Sequence, residues 1–213
     1  MRNLKLICSL GLALALISSS TIAQAKTTTC KLTPKTSNFA VHTDTEGLLS
    51  ALAHKRLIEA TQFKGEIVYV KDEVKNSRVE LLIETDGLLP TEKDISESDR
   101  KEILANMRES LQVKSYPTMY FSSQAVSPIK DGIKVAGELR MKGVAQKVAV
   151  DVKMKTVDNV LITSGEFTVK QTSFGIKPYS ALLGTIQVAD EIRFEFKATC
   201  ELPKETPTEV ALQ

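Results

Sequence analysis

The side chains able to do chemistry in this sequence are few and far apart. There are two histidines, His42 and His54, and three cysteines, Cys8, Cys30 and Cys200. His54 stands beside Lys55 and Arg56 near an expected helix end. There it can act as an acid/base group or touch the polar head of a bound molecule. A plain helix-end histidine, stabilised by the helix dipole, is the simpler option. His42 falls at a polar position of a strand-like run and reads as surface. The two lack the H-x-H or H-x-x-x-H spacing that turns two imidazoles toward one metal, so no metal site is expected. A site joining His42, Asp44 and His54 is a minor alternative. Ser122, Ser123 and Ser164 lack the G-x-S-x-G surroundings of a nucleophile elbow. No glycine-rich phosphate loop is present. The acids Glu92, Asp94, Glu97 and Asp99 read as a solvated helix entrance. No catalytic residue and no cofactor is assigned on these grounds.

The cysteines speak to compartment and closure. Arg2 and Lys5, an apolar run from Leu6 to Ile17 and the A-x-A triplet Ala23-Gln24-Ala25 have the build of a secretory signal peptide cleaved after Ala25. The run is too short to span a bilayer, and no later segment is apolar enough to do so. Cys8 lies too early for a lipoprotein cleavage site. Removing residues 1–25 takes away two cations and no acids, so the formal charge of +2 becomes neutral. A neutral chain has no global field to draw nucleic acid or anionic lipid. A secreted chain retaining Cys30 and Cys200 most simply pairs them. That disulfide would close a loop of about 170 residues, worth roughly 5 kcal/mol at most in the chain-entropy model. It would also make the first and last strands neighbours.

Residues 26–202 read as one domain and 203–213 as a polar, proline-containing tail. Trp is absent and aromatics make up 5% of the chain, so Leu, Ile, Val and Phe must build the interior. The run Ile192-Arg193-Phe194-Glu195-Phe196-Lys197-Ala198-Thr199 alternates apolar and polar residues, the mark of a strand with one buried face. Comparable runs occupy 38–42, 57–70 (with Gly65 a bulge candidate), 78–85, 118–126, 133–141, 148–155 and 160–170. Two stretches change to helical spacing. Residues 45–56 place Leu48, Leu49, Leu52 and Ala53 on one face. The stronger helix follows Ser96 and Asp99, an S-x-x-D capping box, with Ile103, Leu104, Met107 and Leu111 as its stripe. Residues 174–184 hold two glycines and Pro178 and are expected as a loop or broken strand. The fold class is therefore mainly β: an antiparallel barrel of about eight strands with two short helices.

Five segments, in order, resemble the YceI-like family of secreted, lipocalin-like, polyisoprenoid-binding proteins. They are Gln62-Phe63-Lys64-Gly65-Glu66-Ile67, Tyr116-Pro117-Thr118-Met119-Tyr120-Phe121-Ser122-Ser123, Gly137-Glu138-Leu139-Arg140-Met141-Lys142-Gly143-Val144, Gln171-Thr172-Ser173-Phe174-Gly175-Ile176 and Val188-Ala189-Asp190-Glu191-Ile192. The sequence departs from the family pattern at Arg140, Ala145 and Ile58-Glu59-Ala60. The resemblance implies a barrel that holds an isoprenoid or other long-chain amphiphile, without a reaction, in the periplasm of a Gram-negative bacterium. No motif secures a head-group contact.

Alternation supplies the candidate ligand-lining residues: Leu81, Ile83, Met119, Phe121, Val135, Leu139, Val150, Val152, Phe167, Phe194 and Phe196. For each, simple core filling stands level with ligand contact. Phe174, a large aromatic in a glycine-containing loop, is the candidate for gating an opening. His54 is the candidate head-group contact. Two other functions stay open, a secreted hydrolase-like enzyme using His54 with a nearby acid and a filled barrel that serves a stress or partner-binding role. Edge pairing into a homodimer is open as well.

Overall fold

Period-two patterning turns most of this chain into strands. In a computed structural model, residues 26–47, 55–181, 183 and 185–204 are described. The strands are β1 (Thr27–Leu32), β2 (Ser37–Glu46), β3 (Arg56–Ala60), β4 (Phe63–Val70), β5 (Arg78–Glu84), β6 (Leu88–Pro90), β7 (Thr118–Ile129), β8 (Gly132–Met141), β9 (Val144–Val157), β10 (Val160–Lys170), β11 (Ser180–Ala181) and β12 (Ile186–Glu201), with one helix, α1 (Glu97–Leu111). Burial follows the sequence alternation. Along β8, Val135, Leu139 and Met141 are buried, while Lys134 and Arg140 are exposed. The β8–β9 and β9–β10 connections are two-residue turns, Lys142-Gly143 and Asp158-Asn159, with positive φ at every turn residue. That backbone twist matches the twist of the flanking strands.

All pairings are antiparallel, in the order β1-β4-β5-β7-β8-β9-β10-β12-β2-β3-β6. The sheet returns on itself through bent strands. β1 runs into β2 and β3 into β4, and the two bent strands pair along both halves, Cys30 opposite Ile67 and Val41 opposite Ile58. The strand formed by β5 and β6 pairs with the same neighbour in the same way, Ile67 opposite Val79 and Ala60 opposite Leu88. β12 lies on the other edge of β2, Phe194 opposite Val41. These corners explain why twelve strands replace the eight expected. Three long strands are each broken once, and β11 is a two-residue addition.

The corners are satisfied rather than loose. Thr61 donates from both its N–H and its hydroxyl to the Gly87 carbonyl, each at 2.8 Å. Thr85 is 2% exposed. Its hydroxyl donates to the Tyr116 carbonyl at 2.9 Å and its N–H to Pro117 at 2.8 Å. Such pairing is what lets backbone polar groups sit inside a bend.

Three expectations need correction. Gly65 is no bulge, because its register is continuous with both neighbours, opposite Leu32 and opposite Leu81. It marks a close approach, where a Cβ would lie 2.4 Å from the Glu80 carbonyl oxygen. The helix expected over 45–56 is not formed at its described ends. Thr45 and Glu46 pair with Val188 and Gln187 in the sheet, and Arg56 opens β3. Ladder bonds to β12 outweigh a weak local helical preference there. The rest of that stretch, 48–54 with His54, lies outside the described residues, as do the signal segment 1–25 and the tail 205–213. One α-helix is present among the described residues instead of two short ones, and it runs fifteen residues.

The disulfide is formed, Cys30 to Cys200, with Cα atoms 5.5 Å apart and a sequence separation of 170. It joins β1 to the end of β12 just past the last β2–β12 pairing, Ala198 opposite Ser37.

Candidate ligand-binding interior

Inward-facing side chains from the strands of the ring enclose an inner chamber of about 140 Å³. Its walls include Leu81, Ile83, Met119, Phe121, Val135, Leu139, Val150, Val152, Phe167, Phe194 and Phe196, the residues chosen by alternation. Aromatic pairs stiffen it. Phe167 and Phe194 stack with centroids 5.0 Å apart, and Phe39 meets Phe63 edge-on at 4.9 Å. The floor is the cluster of Cys30, Leu161 and Cys200, against which Ile67, Tyr69 and Met154 pack. Thr163 is a buried polar residue on this wall, and its hydroxyl donates to the Ala198 carbonyl at 3.3 Å.

A larger chamber of about 360 Å³ opens at the other end. It meets the inner one at Val41, Leu88, Met119 and Phe194, which line both. Helix α1 roofs it. The Ser96 hydroxyl caps the helix by accepting from Asp99 N–H at 3.0 Å. Ile103, Met107 and Leu111 turn toward the apolar cluster built on Met119, Met141 and Ile176. Two arginines fasten the roof. Arg100 donates to the carbonyls of Pro90 and Glu92, and Arg108 pairs with Asp86 at 2.7 Å. The charged and amide side chains of this chamber are Arg56, Asp99, Glu102, Asn106 and Gln171. An amphiphile thus meets mostly apolar walls below and a group of charged and amide side chains at the opening, the arrangement expected of a small-molecule site.

Phe174, expected to gate an opening, is 1% exposed and walls neither chamber. A 3-10 turn over Gln171–Phe174, ended by Gly175 at φ +66°, tucks the ring into the core beside Met141 and Ile176. Asp190 holds that turn, accepting from the Thr172 N–H at 2.9 Å and hydroxyl at 2.8 Å. These bonds hold its carboxyl below the usual range, helped by Lys170. Lys142 donates to the Gly175 carbonyl at 2.8 Å and ties the same turn to the β8–β9 hairpin.

Among the described residues, the chemically capable side chains do not converge on the interior. His42 lies on the outward parity of β2 and pairs with Glu195 at 2.7 Å. Asp44 pairs with Lys55 at 2.8 Å. Both border a separate polar cleft with Glu92 and Arg193. Ser123 accepts the Val79 N–H at 2.8 Å. No group of three His, Cys, Asp or Glu side chains is placed to hold a metal among the described residues, and no helix there is long and apolar enough to cross a membrane.

Alternation alone did not single out Phe39, Val41 and Tyr69 as walls. Phe39 and Val41 share parity on a strand that was recognised, so that signal was present. The apolar stripe of the helix reads as a cap or flank of the barrel, and the structure sets it over the mouth; the stripe does not say which opening it covers.

A family model described as YceI-like domain matches residues 30–200. Burkholderia cenocepacia BcnA superposes with a TM-score of 0.62 at 17% identity, over 77% of this chain and 96% of that one. A Campylobacter jejuni YCEI protein superposes with a TM-score of 0.53 at 14% identity, over 69% of this chain and 85% of that one. At these identities the structural likeness speaks for the fold. No curated protein matches the sequence.

Proposed function

The chain belongs to the YceI-like family, and from that premise we propose that it is a periplasmic binding protein that holds an isoprenoid or similar amphiphilic lipid in its barrel. The single observation that carries this reading is the pair of adjoining chambers, the inner one walled mostly by apolar side chains and the outer one adding Arg56, Asp99, Glu102 and Asn106. Each methylene moved from water to such walls gains about 0.8 kcal/mol. Ten buried carbons then give about 8 kcal/mol, against an association cost of about 4–15 kcal/mol. The inner chamber of about 140 Å³ covers only a few carbons, so a longer amphiphile draws on both chambers. The signal-like segment 1–25 and the Cys30–Cys200 bond support an oxidising compartment. A binding role without catalysis is favoured because His42 pairs with Glu195 and Asp44 with Lys55, and neither His42 nor Asp44 lines a chamber.

Native mass spectrometry of protein extracted gently from its own host tests the reading. A co-purifying hydrophobic mass is the expected result. A bare mass, together with no quenching or displacement by any added prenyl lipid, refutes it.

A further inference from the structure

The two chambers have a size, and the size selects a ligand. We propose that the resident is an amphiphile of about twenty non-hydrogen atoms with an uncharged, hydrogen-bonding head, seated tail first. This inference rests on the lipid-holding reading above. A cavity of about 150 Å³ accommodates one benzene ring, roughly six carbons. On that scale the inner chamber of 140 Å³ takes about six carbons and the mouth of 360 Å³ about fourteen. The ring of strands cannot pass a longer tail downward, because Leu161 and the disulfide close the floor. A tail much longer than this must leave its surplus in water, where it gains nothing. The head group is set by the mouth. Asp99 and Glu102 line it against a single guanidinium, Arg56. A phosphate head would bring its negative charge toward the exposed carboxylates of Asp99 and Glu102, whereas a hydroxyl or carbonyl head finds partners in Arg56 and Asn106.

The test titrates the intact protein with geraniol, farnesol, geranylgeraniol and solanesol, delivered from cyclodextrin, reading displacement of N-phenyl-1-naphthylamine fluorescence. Affinity should rise at least about tenfold at each of the first two steps and then stop rising at solanesol, since methylenes are rewarded only while walls cover them. Geranylgeranyl phosphate should bind at least about tenfold more weakly than the alcohol. Ala198→Leu, which fills the inner chamber, should weaken geranylgeraniol while leaving geraniol unchanged. Met154→Ala, which enlarges it, should do the opposite and serves if the first variant does not fold. Solanesol binding more tightly than geranylgeraniol overturns the size limit but leaves lipid holding intact. A phosphate equal to the alcohol overturns the head-group assignment. Binding of none of the four alcohols removes the underlying function.

Discussion

Replacing both Cys30 and Cys200 by Ala should cost this protein about 5 kcal/mol of stability. The bond closes a separation of 170 residues, and the chain-entropy model gives about 17 cal/mol/K for such a loop, near 5 kcal/mol at room temperature. Both positions are under 9% exposed, so Ala leaves no buried hydroxyl behind. The folded state keeps most of what holds β1. Its ladder to β4 is intact from Thr27 to Leu32. Lys31 also bonds Glu66 across the pair, and that bond is the main cause of a lowered Glu66 carboxyl pKa. The loss therefore falls on the unfolded state, which gains freedom, and on the chamber floor. With a slope of about 2 kcal/mol/M in urea for a domain of this size, the unfolding midpoint should drop by roughly 2.5 M. Equilibrium unfolding followed by circular dichroism, in the variant and in the oxidised parent, measures it. A midpoint change under about 0.5 M would refute the reasoning and place the stability elsewhere.

Phe174→Ala should destabilise by about 3–5 kcal/mol through a cavity under the mouth, and a thermal shift worth less than about 1 kcal/mol would return Phe174 to the role of a mobile gate. Thr85→Val should cost about 1–3 kcal/mol, because it strands the Tyr116 carbonyl at a buried corner, and denaturant titration reads it. For Asp190 the folded carboxyl titrates lower than the unfolded one. Its contribution is thus full above the unfolded value and is lost as pH falls through the folded value. Acid titration of the Phe174 ring signals by NMR should loosen this turn only at acidic pH, and Asp190→Asn should abolish that step. Arg108→Ala breaks only an exposed pair with Asp86, so it should change stability by under about 1 kcal/mol, and a larger loss in urea unfolding would mean that the roof depends on it.

Much of the barrel was legible because strand alternation is local. Ile192 to Thr199 shows its two faces in eight letters, and the same parity picks out Phe194 and Phe196 as chamber walls. The disulfide was legible for a different reason, since two cysteines left after a signal-like segment have few alternatives. What stayed hidden is set by distant partners. Thr45 and Glu46 carry helical spacing onward yet pair with Val188 and Gln187, a competition no window of sequence displays. The corners at Thr61–Gln62 and Thr85–Gly87 are equally silent, because their cause is the curvature of the closed ring and the hydrogen bonds that meet there. Phe174 misled because glycine and proline around it signalled a loop, whereas Asp190, eighteen residues beyond Thr172, holds that loop inward.

The covalent link between β1 and β12 also gives the molecule a handle. Lys26 and Glu201 flank it, so both ends of the described domain depart from the pole farthest from α1 and the opening. A bead, a surface or a second protein grafted at either end can hold the molecule fast with its entrance facing outward.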